Sequence, residues 1–295
     1  MATKTAMITI AGRPNVGKST LTNYLVGEKI AIVSNKPQTT RNRICGIVTK
    51  GQTQFIFVDT PGYHKARTKL GDYMVNVAVN SIADVDLAIL VVEPIASIGP
   101  QEQGLIEQFR TKKVPAILVI NKIDTVEKET LLEVINTYAQ AAPFAAIIPI
   151  CAKNGDGVDI LLEECQKHAV ESPFLFPENA TTDQPERQVM AEIIREKLLW
   201  CLEREIPHGA AVEITKFSER DNGIIDIDAT IYCEKASHKG IIIGKRGDML
   251  KKISTMARTD CEKFMGTHVY LTTWVKHKEN WRDSDFLIRN FGYSE

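Results

Sequence analysis

Near the N-terminus stands the run Gly12-Arg13-Pro14-Asn15-Val16-Gly17-Lys18-Ser19, a glycine and four variable residues followed by Gly-Lys-Ser. Glycines at this spacing let the backbone wrap closely, so that successive N–H groups and the positive end of a following helix face a phosphate. Lys18 is expected to reach the β- and γ-phosphates and Ser19 to coordinate Mg²⁺, with Val16 and Thr20 completing the contact set. The motif alone does not separate ATP from GTP.

Asn121-Lys122-Ile123-Asp124 decides the base. A carboxylate at Asp124 can accept from guanine N1–H and from the exocyclic amino group, whereas adenine offers no such donor pair and would leave a buried charge unpaired. Asn121 is expected at the base edge and at the phosphate loop, and the stem of Lys122 across the base. Cys151-Ala152-Lys153 is the weakest element, with a backbone N–H expected at guanine O6. Cys151 stands where GTPases usually have serine. Because the contact is through the main chain, the reading assigns the change little effect.

Two further segments concern the γ-phosphate. Asp59-Thr60-Pro61-Gly62 follows an apolar run, where an aspartate can hold the magnesium shell and the N–H of Gly62 can sense the phosphate. Lys36-Pro37-Gln38-Thr39-Thr40-Arg41 reads as a switch whose threonine binds Mg²⁺ only while the γ-phosphate is present; Thr40 is favoured, with Thr39 as the alternative. Lys18, Thr40, Asp59 and Gly62 are thus the expected catalytic set. Tyr63 occupies the place where many regulatory GTPases carry a water-orienting glutamine, which predicts slow hydrolysis or another arrangement. Asn15 is a candidate ligand of K⁺ beside the phosphates, where the ion would supply the charge of an arginine finger.

These motifs need a scaffold. Short apolar runs (Met7–Ile10, Phe55–Val58, Leu87–Val92, Ile117–Ile120, Ile147–Ile150) alternate with helix-like stretches (Ser19–Val26, Gln101–Arg110, Lys128–Ala139). Unbroken apolar runs fit strands buried on both faces, and the alternation predicts a doubly wound α/β domain with a mostly parallel, six-stranded sheet. Each motif follows one of the runs, at the strand ends where such folds bind ligands. Residues 1–172 are assigned to this domain and the proline-bearing stretch 173–186 to a linker.

Residues 187–295 read as a separate α+β domain: helix, two strands joined near Asn222-Gly223, helix, Gly244-Lys245-Arg246-Gly247, helix, strand. A G-x-x-G loop between helices can clamp single-stranded nucleotides, since its glycines admit the sugar-phosphate backbone while Lys245 and Arg246 supply charge. Ile243 and Lys251 flank it in the expected RNA contact set. From Lys235 to Lys278 there are ten Lys or Arg against three Asp or Glu, a balance of +7 within a chain of net charge −1. That is the footprint of a nucleic-acid face. The element order is similar to a type II KH domain.

Together, Gly-Arg-Pro-Asn-Val-Gly-Lys-Ser, Gln38-Thr39-Thr40-Arg41, Asp-Thr-Pro-Gly, Asn-Lys-Ile-Asp, the KH-like end, Glu192-Ile193-Ile194-Arg195-Glu196-Lys197 and Gly292-Tyr293 resemble the Era family of bacterial GTPases. The resemblance implies GTP/GDP with Mg²⁺, and a KH domain on the 3′ end of 16S ribosomal RNA. It also implies a role in 30S subunit maturation coupled to growth and division, and peripheral association with the inner membrane. It agrees with a GTPase lacking the usual glutamine and with potassium stimulation.

Composition fits this picture. At 295 residues, 44% hydrophobic and 25% charged, the chain is long enough for two domains with their own cores. Six scattered cysteines without a C-x-x-C pair read as free thiols in a reducing compartment. Met1 to Met7 leads directly into a strand pattern, leaving no room for a signal peptide, and no apolar run nears the roughly 18 to 20 residues that span a bilayer. The expectation is a cytoplasmic monomer with peripheral membrane contact.

Overall fold

The structure is a computed structural model that describes residues 2–36, 38–61, 68–82 and 85–293. In chain order the first elements are β1 (Lys4–Ala11), α1 (Lys18–Val26), β2 (Ile44–Lys50), β3 (Thr53–Asp59), α2 (Lys69–Asn80), β4 (Leu87–Val92), α3 (Pro100–Lys112) and β5 (Ala116–Ile120). Then come α4 (Lys128–Ala141), β6 (Ala146–Pro149), α5 (Val158–Gln166) and the short β7 (Val170–Glu171). The remainder is α6 (Glu186–Cys201), β8 (Ala210–Glu219), β9 (Ile225–Cys233), α7 (Ala236–Ile243), α8 (Asp248–Met265), β10 (Val269–His277) and α9 (Asp285–Asn290). The chain divides into two units: Met1–Ala31, Thr40–Lys65 and Met74–Asp183 form one, and Ile32–Thr39, Ala66–Tyr73 and Gln184–Glu295 the other.

In the first unit the strands lie in the order β2-β3-β1-β4-β5-β6, and β7 pairs antiparallel with β1 as a seventh. Only β2 runs antiparallel along the main path, in a hairpin with β3. Every residue of β4 and β5 is buried, as strands with helices on both faces require. One face is packed by Leu21 and Leu25 of α1 and Leu161 and Leu162 of α5, the other by Leu105 and Phe109 of α3 and Val134 and Tyr138 of α4. Because β1, β3, β4, β5 and β6 are mutually parallel, the segments after β1, β3, β5 and β6 emerge at the same end of the sheet.

The second unit is a three-stranded sheet in the order β10-β9-β8, with β8 antiparallel and β10 parallel to β9. Inward residues Ala229, Ile231 and Val275 pack against Ile194 and Leu198 of α6, Ile242 of α7 and Ile253 and Ala257 of α8. Helix α6 also holds the segment Ile32–Thr39. Glu196 Oε1 accepts from Val33 N at 2.9 Å and Trp200 Nε1 donates to the Val33 carbonyl at 2.9 Å. Lys36 Nζ donates to the Leu199 and Leu202 carbonyls, satisfying acceptors that a helix end otherwise leaves open.

Among the described residues all six cysteines are free, five of them buried. Burial pushes the Cys45 and Cys165 thiols up to about 12, so neither is poised as a nucleophile at neutral pH. Among the described residues no helix is long and apolar enough to cross a membrane.

Candidate functional site

Between β1 and α1 the backbone turns through Gly12 at φ 151°, Asn15 at φ 67° and Gly17 at φ 103°. A Cβ on Gly17 would lie 2.2 Å from Asn121 Nδ2, and one on Gly12 would lie 2.3 Å from the Val91 carbonyl oxygen. Close approach, as well as backbone freedom, therefore demands glycine at both positions. Helix α1 starts at Lys18 with no side chain capping its N-terminus, which leaves its first N–H groups available to an anion.

Lys18 is buried, and its Nζ donates to the Gly12 carbonyl at 3.0 Å and the Arg13 carbonyl at 2.9 Å. Desolvation lowers its pKa to about 8, against the opposing pull of Asp59. Desolvation likewise raises Asp59 to about 6, against Lys18 and the Ser19 hydroxyl. Ser19 Oγ donates to Asp59 Oδ2 at 2.7 Å and lies 2.9 Å from Thr40 Oγ1. Three hydroxyl or carboxylate oxygens thus converge next to a lysine, and the fully buried Asp59 Oδ1 has no hydrogen-bond partner. A buried orphan carboxylate oxygen beside two hydroxyls fits a hard divalent cation with oxygen ligands.

The two threonines of the switch motif part company here. Thr40 stands at the oxygen cluster, whereas Thr39 Oγ1 donates to the Lys36 carbonyl at 2.6 Å and the Thr39 carbonyl accepts from Arg195. Gly62, Tyr63 and His64 lie outside the described residues, as does Pro37.

The segment Asn121 to Asp124, expected from the sequence to read the base, is fixed by its side chains. Asn121 Nδ2 donates to the Val16 carbonyl at 2.8 Å, and Asn121 Oδ1 accepts from Ala152 N at 2.9 Å. Asn121 therefore ties the phosphate loop to the segment after β6. Lys122 Nζ donates to the Asn15 carbonyl at 2.8 Å and pairs with Glu93 at 2.6 Å. Cys151 Sγ donates to Asp124 Oδ1 at 3.3 Å, so its side chain, besides the main-chain contact expected from the sequence, bears on the carboxylate expected to read guanine. Lys153 is exposed beside the buried Ala152.

Sequence reasoning missed two acidic partners. Glu93 at the end of β4 neutralises Lys122, and fully buried Glu102 of α3 is paired with Arg13 of the phosphate loop. A lone acid within a helix pattern carries no local signal of such a partner; only the tertiary fold brings Glu102 to residue 13.

In the second unit the loop after α7 has Gly244 at φ 76°, Arg246 at φ 55° and Gly247 at φ 85°. A Cβ on Gly244 would lie 2.6 Å from Met249 Cβ, whereas Gly247 faces open space. Lys245, Arg246 and Lys251 are exposed, Ile243 is half-buried, and Ile242 belongs to the core. The loop precedes the first turn of α8 and presents two cations over a backbone without bulky side chains at its glycines.

A glycine loop between β1 and α1 that Asn121 ties to the segment after β5, on a doubly wound sheet, and a G-x-x-G loop between helices are the features of a P-loop GTPase joined to a KH domain. Residues 7–122 match the family model described as 50S ribosome-binding GTPase, and residues 205–282 match the KH domain model. The GTPase Era of Ruminiclostridium cellulolyticum is 50% identical over 293 residues, which cover 99% of this chain and 98% of the relative's; that of Clostridioides difficile strain 630 is 50% identical over 294 residues, covering 99% of each. The chain belongs to the Era family of GTPases. A crystal structure of Era in complex with MgGDPNP and nucleotides 1506–1542 of 16S ribosomal RNA superposes with a TM-score of 0.94, at 36% identity, over 99% of this chain and 100% of that one.

Proposed function

We propose that this chain hydrolyses GTP as a switch that binds the 3′ end of 16S ribosomal RNA through its KH domain and assists assembly of the 30S subunit. The observation that carries the reading is the cluster of Ser19 Oγ, Thr40 Oγ1 and Asp59 Oδ2, closed by bonds of 2.7 and 2.9 Å beside Lys18. The ligand of the 36% identical relative supports the RNA half.

In the nucleotide complex Lys18 Nζ would exchange the Gly12 and Arg13 carbonyls for β- and γ-phosphate oxygens, which are stronger acceptors for an ammonium. Ser19, Thr40 and Asp59 would hold Mg²⁺, whose charge would favour the ionised form of Asp59 against the desolvation that raises its pKa. The ion's chemistry is to offset negative charge on the transferring phosphoryl group. The backbone N–H groups of Gly12 to Thr20 cradle the phosphates, Asp124 reads guanine, and Asn121 and Lys122 lock that reader to the phosphate loop. Lys153 extends the segment whose Ala152 N–H stands next to the base site. Gly62 senses the γ-phosphate.

With Tyr63 in place of a glutamine, hydrolysis is slow, and Asn15 would help to hold a K⁺ whose charge would stand in for that of an arginine finger. Residues 1–172 act as the GTPase domain, 173–186 as the linker and 187–295 as the RNA-binding domain. Ile243, Gly244, Lys245, Arg246, Gly247 and Lys251 form the primary RNA contact. The protein works as a cytoplasmic monomer with peripheral association to the inner membrane, coupling ribosome assembly to growth and division. The test is RNA affinity measured with GDPNP and with GDP: a switch gives different affinities, and equal affinities leave a constitutive binder. Equal hydrolysis rates in potassium and sodium would remove the role of Asn15.

A further inference from the structure

We propose that the outer face of the KH sheet, at Tyr270 and Trp274, is a second contact for the same RNA strand, a stacking platform that takes bases leaving the G-x-x-G loop. The proposal rests on the RNA reading above and extends it to a surface on the other side of the sheet.

Side chains alternate along β10. Val269 and Val275 are buried and Leu271 packs against the helix-facing cores, while Tyr270 and Trp274, of opposite parity, are each 60% exposed. Large aromatic rings left this open on a strand are costly to hydrate and signal a ligand when they share a face. Further along the same face the sheet is covered, because Tyr232 of β9 packs on Phe291 with centroids 4.7 Å apart. The Tyr270 and Trp274 end has no such cover among the described residues.

Three observations choose RNA as the occupant. First, the two rings are separated by Thr272 and, at four residues along a strand, stand about 13 Å apart. Isolated rings with a polar residue between them suit one base each, whereas a protein partner is better served by a continuous apolar patch. Second, cations stand beside the rings and neutralise Asp226, one of the two aspartates that β9 sets in register with Tyr270 and Thr272, Asp228 being the other. Arg220 lies 5.2 Å from the Tyr270 ring centroid, and Asp226 is paired by Arg220 at 2.5 Å and Lys216 at 3.2 Å. Exposed Lys276 and Lys278 follow Trp274 along the chain. Third, the surface continues from the primary contact. Strand β10 is an edge strand bonded only to β9, and its Thr273 Oγ1 lies 2.7 Å from Ser254 Oγ of α8, the helix that begins at the G-x-x-G loop. A single strand leaving that loop reaches the outer face by crossing the free edge of β10.

The experiment uses the full chain with GDPNP and two RNA probes drawn from nucleotides 1506–1542 of 16S ribosomal RNA: single-stranded tetranucleotides, long enough only for the G-x-x-G clamp, and a strand about three times that length. Tyr270→Ala and Trp274→Ala each weaken the longer strand roughly tenfold and leave the tetranucleotides unchanged. Trp274→Phe, which keeps a stacking ring, retains most of the affinity. Unchanged tetranucleotide binding shows that the KH unit of the variants folds, and basal GTP hydrolysis at the wild-type rate shows that the GTPase unit does. If the variants bind the longer strand as the wild type does, the outer face does not contact RNA and this proposal alone falls. If the wild type binds neither probe, the RNA reading falls and the proposal with it.

Discussion

The thiol of Cys151 donates to Asp124 Oδ1 at 3.3 Å, binding the segment after β6 to the carboxylate proposed to read guanine. A thiol is a weaker donor than a hydroxyl, so the bond orients Asp124 less firmly than serine would. Cys151→Ser is expected to hold GDP as tightly as the wild type or a few-fold more tightly, and Cys151→Ala to lose roughly threefold to tenfold, the usual range for one hydrogen bond. Titration with a fluorescent guanine nucleotide reads both.

Asn121 is 3% exposed and makes two bonds of 2.8 and 2.9 Å, to Val16 and from Ala152. Asn121→Ala removes both and leaves a buried carbonyl and a buried N–H unpaired. We expect about 2 to 3 kcal/mol lost in urea unfolding and a parallel loss of nucleotide affinity. Unchanged affinity would show that the phosphate loop needs no tie to the base-reading segment.

Glu102 is fully buried and paired with Arg13. Arg13→Ala strands the carboxylate and is expected to cost roughly 2 kcal/mol, the low side for a buried pair because a third of the arginine side chain is exposed. Adding Glu102→Gln to Arg13→Ala should restore most of the loss. Equal stability of the single and double variants would place the cost elsewhere.

Within the G-x-x-G loop the two glycines differ. Gly244→Ala drives a methyl into Met249 and should lower stability together with RNA binding, whereas Gly247→Ala meets only the strain of φ 85°, about 1 kcal/mol. Gly247→Asp, which sets a negative charge in open space, is therefore the cleaner disruption: RNA binding should fall at least tenfold while the melting temperature changes little.

Glu262 of α8 accepts from Val269 N at 3.2 Å, and that bond, helped by His268 and Arg258, holds its carboxyl below the usual carboxylate range. With the folded value depressed, the carboxylate adds stability above its ordinary pKa of about 4.5 and loses it as pH falls through that value and the lower folded one. Glu262→Gln should thus melt below the wild type at pH 7, with the gap closing as pH falls from the ordinary carboxylate range through the lower folded value. A gap independent of pH would rule out the charge as its source.

Much of this molecule was written locally. The apolar runs that became β1, β3, β4, β5 and β6 are legible because a strand buried on both faces needs an uninterrupted apolar stretch. The motifs after them are legible because phosphate and guanine recognition depends on nearby backbone and a few residues at fixed spacing. Strand β2 escaped notice, since its identity depends on a hairpin with β3 rather than on its own pattern.

What the sequence by itself pointed to was the nature of the expected ligands: phosphate at Gly12 to Ser19, guanine at Asp124, and a polyanion at the basic G-x-x-G loop. Tertiary structure decided which atoms meet. It put Thr40 rather than Thr39 beside Ser19 and Asp59, gave Asn121 and Lys122 to the phosphate loop, and brought Glu102 to Arg13 and Cys151 to Asp124. It also buried one parity of β10 and left Tyr270 and Trp274 open. The reason is range: a motif records the chemistry of residues adjacent in the chain, whereas these contacts join residues up to 107 positions apart, and only packing of the sheet and its helices sets such distances.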